Sequence, residues 1–450
     1  VERGSRKKAP QYPRDRIESK TGIDRSAHTR RFLLEARALF CERGRVKHAP
    51  SYANREQTQA AFARHVSPGK VATFREYGFD VVMGRREGVF FYDAFDGRRF
   101  FNCHCNGGVF NLGHRHPRVV AAVRDALDHV DIGNHHLVSG LRAELASRLS
   151  ATTQGRLEGV VFAAGGGEAT DLAIKVARAT TERRTIVSIS GGYHGHTGLA
   201  LATGDAQYRD AFGENLPHFK QIPFDDREAI ERAVDDDTAA VIVEPVPATL
   251  GMPMASEGYL AHVERVCHDR GALFIVDEVQ TGLGRTGTIW CHTQDGLSPD
   301  IVLTGKGLSG GVYPMAATMM TRRLHDFFLK HPFIHISTFG GAELGCVAAL
   351  ATLDVIQAEG FLEHVHEVAR RLGQELAGLP FAIRQRGLMM GLVFPMERGG
   401  MFASKLLYDA GIFAVYANND TRVLQFLPPL TLSFDEVTEL VAMVRRTFGS

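Results

Sequence analysis

Two short, wholly apolar runs, each halted by turn residues, constrain this chain more than anything else in it. The first, Ala272-Leu273-Phe274-Ile275-Val276, is closed by Asp277-Glu278-Val279-Gln280-Thr281-Gly282, and the second, Ile301-Val302-Leu303-Thr304, by Gly305-Lys306-Gly307. Runs of this length without polar alternation read as strands buried on both faces, the environment of a parallel sheet covered by helices. Ligands of such sheets sit beyond the carboxyl ends of the strands. Asp277 and Lys306 are therefore expected on one rim.

A carboxylate and an amine on one rim have a specific use. A pyridoxal phosphate enzyme needs a lysine to form a Schiff base and an acid to keep the pyridinium nitrogen protonated. The plainer alternative is that Asp277 caps a turn and Lys306 is a solvated loop lysine. The glycines on either side of Lys306 favour the first reading, because they let backbone and cofactor approach closely.

The surrounding text supports a sheet. Val160-Val161-Phe162, Thr185 to Ser190 and Ala239 to Val243 read as strands, alternating with helices over Leu141–Leu149, Glu168–Ala179 and Tyr259–Arg270. Such alternation implies an α/β fold, a mainly parallel sheet with helices on both faces. Earlier, Phe90–Asp93 and Arg99–Phe101 flank Asp96-Gly97 as a hairpin, and Pro117 opens a helix. After about residue 345 the rhythm changes to long helices (Cys346–Gln357, Leu362–Leu376) and strands near Ala382 and Leu392. We divide the chain into a basic, partly helical extension (1–65), the amino-terminal part of a small domain (66–135), a large domain (136–344) and a carboxyl-terminal small α+β domain (345–450).

The net charge of +1 conceals an asymmetry. Residues 1–50 carry 14 Lys and Arg against 6 Asp and Glu, and the rest carries 38 against 45. Such an arm can touch nucleic acid or an acidic partner, or be a solvated lead-in. Within it, Arg31–Arg43 has helical apolar spacing. No run has the length of a membrane span and no signal peptide opens the chain. The six cysteines are scattered. Only Cys103-His104-Cys105 clusters, with the wrong spacing for structural zinc, so no metal is expected and the thiols suit a reducing, cytoplasmic setting.

Further rim candidates follow other strands. Ala163-Ala164-Gly165-Gly166-Gly167-Glu168 lies between strand and helix, where bare N–H groups make a phosphate site or simply a tight turn. Tyr193-His194 offers a ring to stack on a flat heterocycle and a hydrogen-bonding imidazole, or a buried tyrosine and a loop histidine. Glu244-Pro245 ends a strand, where a carboxylate is structural or catalytic.

Together these motifs resemble the class III (ω-) aminotransferases of the fold-type I pyridoxal phosphate enzymes. The matching text is the glycine turn with Glu168-Ala169, Tyr193-His194-Gly195, Val243-Glu244-Pro245, Asp277 through Gly287, Gly305-Lys306-Gly307, Ser337-Thr338-Phe339-Gly340-Gly341, Arg386 through Gly391, and Pro428-Pro429-Leu430, in order across roughly residues 70–450. The resemblance implies pyridoxal 5'-phosphate bound covalently at Lys306, which would also shuttle the proton. It implies Asp277 at the ring nitrogen, Gln280 at the ring hydroxyl, Tyr193 on the ring face, with His194 and Glu244 nearby. Gly166 and Gly167 would bind the phosphate, and Thr338 would reach the phosphate of a neighbouring subunit in a homodimer with shared sites. It also implies a small domain built from both chain ends.

Three positions depart from the family pattern. Gly165 replaces the serine of the phosphate turn, and Ala342-Glu343 replaces the usual Asn-Pro. The third concerns substrate: Gln425 stands where many members place an arginine that grips a carboxylate, and Thr249 stands where others carry a gating glutamate. Arg422 is three residues too early, and Arg142 is the alternative cation. Gly107 and Gly108 would leave room in the pocket. The expected reaction moves an amino group between an amine or amino acid and an aldehyde or ketone lacking an α-carboxylate. The same scaffold serves aminomutases, racemases and decarboxylases. A pyridoxal-sensing DNA-binding regulator is a third class, but residues 1–60 show one good helix where a helix-turn-helix needs more. Neither nucleic acid nor membrane is an expected partner.

Overall fold

The computed structural model describes residues 52–213 and 216–449. The basic arm of residues 1–50 and the Arg31–Arg43 helix lie outside them. The framework is a seven-stranded sheet in the order β4 (Gly159–Ala163), β10 (Ala316–Met320), β9 (Ile301–Thr304), β8 (Leu273–Asp277), β7 (Thr238–Val243), β5 (Thr185–Ile189) and β6 (Phe219–Ile222). Strand β10 pairs antiparallel with both β4 and β9, and the other neighbours pair in parallel, so β10 alone runs backwards. Every residue of β5, β7, β8 and β9 is buried, which is why those runs carry no polar alternation.

Helices cover both faces. The Gly166–Thr181 helix buries Ala169, Leu172, Ala173, Val176 and Ala177, a stripe at helical spacing, against one face with Ile186, Ile242, Ile275 and Leu303. The Tyr259–Asp269 and Glu343–Ile356 helices pack with Val187, Val241, Phe274 and Val302 on the other. Side chains of alternate strand positions thus feed two separate cores. Among the described residues no single helix is long and apolar enough to cross a bilayer.

Two four-stranded sheets complete the chain. The first joins β1 (Met83–Glu87), β2 (Phe90–Asp93) and β3 (Arg99–Asn102) to β13 (Ile412–Phe413); the second has the order β11 (Ala382–Arg386), β12 (Met389–Val393), β15 (Asp420–Phe426) and β14 (Val415–Ala417). The expected hairpin is present. Asp93 Oδ1 accepts from the backbone N–H of Phe95 (2.8 Å) and Asp96 (3.2 Å), so one carboxylate sets its turn. Both chain ends build this layer. Ile412 pairs in parallel with Phe101, and the Tyr408 hydroxyl accepts from the N–H groups of Asp80 (3.1 Å) and Val81 (2.9 Å).

Candidate active site

Five strands end on one rim, and each delivers a polar group there. Beyond β4, Gly165 caps the Gly166–Thr181 helix without a side chain, and Glu168 Oε2 accepts from the Ala164 N–H at 2.9 Å. The first-turn N–H groups of Gly166 and Gly167 have no intrahelical carbonyl to reach. A Cβ on Gly167 would lie 2.7 Å from Thr197 Oγ1, and one on Gly195 only 2.6 Å from Gly167 Cα, so these two loops touch through bare backbone. Past β5 comes the loop carrying Tyr193 and His194. Glu244 directly follows β7, Asp277 is the last residue of β8, and Lys306 lies just past β9.

His194 Nδ1 and Asp277 Oδ2 are 2.8 Å apart, both side chains being almost fully buried, and Asp277 Oδ1 accepts from the Val279 N–H at 3.0 Å. Lys306 Nζ donates to Gln280 Oε1 at 3.0 Å. The backbone of Lys306 has φ of 44°, a left-handed conformation that a side-chain-bearing residue adopts only when its surroundings hold it. A Cβ on Gly107 would come within 3.6 Å of Lys306 Nζ and 3.8 Å of Gln280 Oε1, so the amine faces a wall with no side chain on it.

Burial dominates the electrostatics. It lowers the Lys306 pKa, an effect that the Asp277 and Glu244 carboxylates offset only in part. It pushes the Glu244 carboxyl up to about 7, against the opposing pull of His194 and helped by the charge of Asp277. For His194 burial opposes the charge, yet the hydrogen bond and charge of Asp277 prevail and the pKa is raised. Buried atoms on this rim without a hydrogen-bond partner include His194 Nε2, Glu244 Oε2 and Gln280 Nε2. Buried polar atoms are rarely left so unless something else binds there.

The family model described as aminotransferase class-III matches residues 73–448. An uncharacterized aminotransferase of Archaeoglobus fulgidus is 52% identical over 383 residues, spanning 84% of this chain and 90% of the relative. The chain belongs to the class-III aminotransferases. Among solved structures it resembles the ornithine aminotransferase of Toxoplasma gondii, with a TM-score of 0.80 at 26% identity over 88% of this chain and 96% of that one. It also resembles an amine transaminase from an uncultivated Pseudomonas species in its pyridoxal phosphate-bound form, with a TM-score of 0.74 at 26% identity over 82% and 94%.

Class-III aminotransferases use pyridoxal phosphate, and the rim of this aminotransferase fits it. It offers a buried amine, a carboxylate held by two donors, free N–H groups at a helix start, the half-exposed ring of Tyr193, and several orphaned polar atoms.

Other positions singled out from the sequence are committed elsewhere. The Thr249 hydroxyl donates to the Gly191 carbonyl at 2.8 Å, and Gln425 Nε2 lies 3.4 Å from the Tyr416 carbonyl on the paired strand β14. Arg142 donates to the Gly341 (2.7 Å) and Asn134 (2.9 Å) carbonyls, while its buried Nη2 has no partner. Arg422 forms a fork on Asp420, with both contacts at 2.9 Å. Thr338 is exposed, amid exposed Phe333, Ile334, Ile336 and Phe339, and among the described residues no hydrogen bond links its side chain to the rim. Ala342-Glu343 opens the Glu343–Ile356 helix, with the Glu343 N–H on the Ile132 carbonyl at 3.2 Å.

Sequence reasoning missed several residues. Arg285, fully buried, donates from Nη2 to Asn111 Oδ1 (2.7 Å) and from Nη1 to the Leu388 (3.0 Å) and Pro428 (2.6 Å) carbonyls. It anchors the segment that follows Gly107. Its place in the Gly284-Arg285-Thr286-Gly287 turn was a usable signal. His104, from the cysteine cluster, has its pKa lowered to about 4 by burial and then by Lys306.

Proposed function

We propose that this aminotransferase passes its amino group to an aldehyde or ketone with no carboxylate beside the reacting carbon. The observation that carries the reading is the paired substitution of Gln425 and Thr249, which leaves neither a forked cation nor its gating carboxylate at those two positions. Arg142 spends two nitrogens on backbone carbonyls and keeps only a single buried Nη2 unpartnered, short of a fork, and Arg422 is forked onto Asp420. Burying a carboxylate without a forked cation costs several kcal/mol. Of the two solved relatives, the amine transaminase is then the better guide to substrate than the ornithine aminotransferase.

Within that reaction the residues divide the work. Lys306 is the covalent attachment point and the proton carrier. Its lowered pKa keeps a larger share of the amine neutral and nucleophilic, and Gln280 Oε1 aims it. Asp277, fixed by His194 and the Val279 N–H, presents the anion for a ring nitrogen. Tyr193 would cover the ring face, and Gly166 and Gly167 would offer N–H groups to the phosphate. When bound, pyridoxal phosphate supplies the electron sink that makes the substrate C–H bond breakable. The exposed apolar side chains around Thr338 suit a homodimer interface that brings Thr338 to the partner's site.

The test runs the half-reaction backwards, with the amines that such acceptors become. We expect kcat/KM for a terminal aliphatic amine to exceed that for an α-amino acid of equal length, with an ω-amino acid as the intermediate case. A tenfold preference for the α-amino acid, about 1.4 kcal/mol of transition-state stabilisation, would reveal a carboxylate grip and overturn the reading.

A further inference from the structure

We propose that Asn419 is a positioning residue for the cofactor, acting with Thr249 through the carbonyl of Gly191. The inference rests on the assignment of Tyr193 and His194 to the cofactor site. It adds what holds their loop in place.

Gly191 is the second residue past β5 and lies two and three positions before Tyr193 and His194. Its φ is +81°, a conformation that favours glycine, and a Cβ there would press on Leu250 Cδ1 at 2.6 Å. Both of its backbone polar groups are held by side chains. The N–H donates to Asp205 Oδ1 at 2.9 Å, and the carbonyl accepts from Thr249 Oγ1 at 2.8 Å and from Asn419 Nδ2 at 2.9 Å. A carbonyl has two lone pairs, and here both are taken.

Asn419 lies in the turn between β14 and β15, in the sheet made by the carboxyl-terminal segment. Its N–H donates to the Thr249 carbonyl at 2.9 Å, while its Oδ1 accepts from Gln207 Nε2 at 2.7 Å and from the Tyr208 hydroxyl at 3.1 Å. Asn419 therefore joins that sheet to two connections of the seven-stranded sheet, the one after β5 (Gly191, Gln207 and Tyr208) and the one after β7 (Thr249). A second line of contact runs the same way: the Tyr208 ring lies 5.1 Å from that of His196, which lies 4.9 Å from that of Tyr193. Tyr193 is thus approached from Asn419 by backbone through Gly191 and by tilted and edge-to-face ring contacts through Tyr208 and His196.

Downstream of Gly191 the loop is pinned again, by the Gly192 N–H on the Ile189 carbonyl (3.1 Å) and by Thr170 Oγ1 on the His194 carbonyl (2.9 Å). The Gly191 bonds complete the set. Loosening them lets Tyr193 tilt and slackens the His194 contact with Asp277. In this arrangement Thr249 is a strut for the ring-covering loop, where the sequence suggested a wall of the substrate pocket.

The experiment compares Thr249→Val, Thr249→Ser, Asn419→Leu and the double variant T249V/N419L in the full-length holoenzyme. Three quantities are read: the visible circular dichroism of bound pyridoxal phosphate, its release rate, and the thermal midpoint. We expect Thr249→Val and Asn419→Leu each to speed cofactor release by roughly fivefold, the scale of one lost hydrogen bond, and to change the dichroic band. Thr249→Ser restores the parent values. The double variant releases cofactor faster than the product of the single effects, because each strut partly covers for the other. A lower midpoint with unchanged dichroism and release reduces both residues to ordinary stabilising contacts and overturns the proposal. So does a double variant identical to the parent in all three. Tyr193→Ala and His194→Gln serve as controls. If they alter dichroism and release while the strut variants do not, the strut alone fails; if they too are silent, the site assignment itself has failed.

Discussion

The Lys306 amine donates to the Gln280 side-chain oxygen at 3.0 Å, and a Cβ on Gly107 would lie only 3.6 Å from it. The amine is aimed before any ligand arrives. Lys306→Ala should therefore abolish turnover, since the attachment and proton transfer we propose both run through this one nitrogen. The folded chain should survive, because the variant also removes a buried amine whose charge is opposed by burial. A variant keeping more than a few per cent of the parent rate would point to another lysine.

Asp277→Asn keeps the shape and loses the charge. The anion held by His194 and the Val279 N–H is replaced by a neutral amide, so cofactor should still bind while the rate falls by hundreds-fold or more, a few kcal/mol of barrier. Single-turnover rates with saturating amine check this. Near-normal rates would place the electron-sink partner elsewhere.

Much of this rim was legible in the sequence, for a physical reason. Strands β8 and β9 are buried on both faces, so they appear as unbroken apolar runs, and their ends name Asp277 and Lys306 directly. Strand β10 is equally buried, but Ala-Ala-Thr-Met-Met has weak strand propensity, and nothing local announces that it runs backwards. The Phe434–Phe448 helix did carry a signal that went unused, since Ser433 and Glu436 form a capping box. Contacts such as Asn419 to Gly191 join residues 228 apart and have no sequence signature at all.

The Glu244 carboxyl gives a pH dependence whose sign is determined. Burial raises its pKa to about 7 from an ordinary 4.5. Below about pH 4.5 it is protonated whether the chain is folded or not, and its burial carries no charge penalty. As pH rises through this window the unfolded chain releases the proton first, so stability falls until about pH 7, by a few kcal/mol in total. Thermal midpoints of cofactor-free enzyme should show this decline, and Glu244→Gln should flatten it. An unchanged slope in the variant would assign the decline to other groups.

Arg285→Met should be among the most destabilising single changes in the chain. It strips donors from Asn111 Oδ1 and from the Leu388 and Pro428 carbonyls in a fully buried setting, a loss of about 3 kcal/mol or more. Arg285→Lys should recover only part, because one ammonium cannot span the planar fork. Chemical denaturation measures both. Parent-like stability of the methionine variant would contradict the structure.

If sites are shared between subunits, mixing Lys306→Ala with Thr338→Ala subunits should yield activity above that of either parent. Only a cross-subunit arrangement restores one site with both residues intact. Hybrids no more active than the average of their parents would make each subunit self-sufficient.

The Tyr408 hydroxyl receives two N–H groups from residues about 328 positions earlier, and Ile412 supplies the fourth strand to the β2–β3 hairpin. During synthesis that hairpin leaves the ribosome long before its partner exists. At roughly 5–20 residues per second, it waits on the order of tens of seconds with one edge open. The large sheet can assemble in that interval, so the order of folding runs from the middle of the chain outward. A stop codon before residue 408 should thus expose the amino-terminal hairpin to protease while sparing the strands around Asp277 and Lys306. The last tenth of this chain is what completes its beginning.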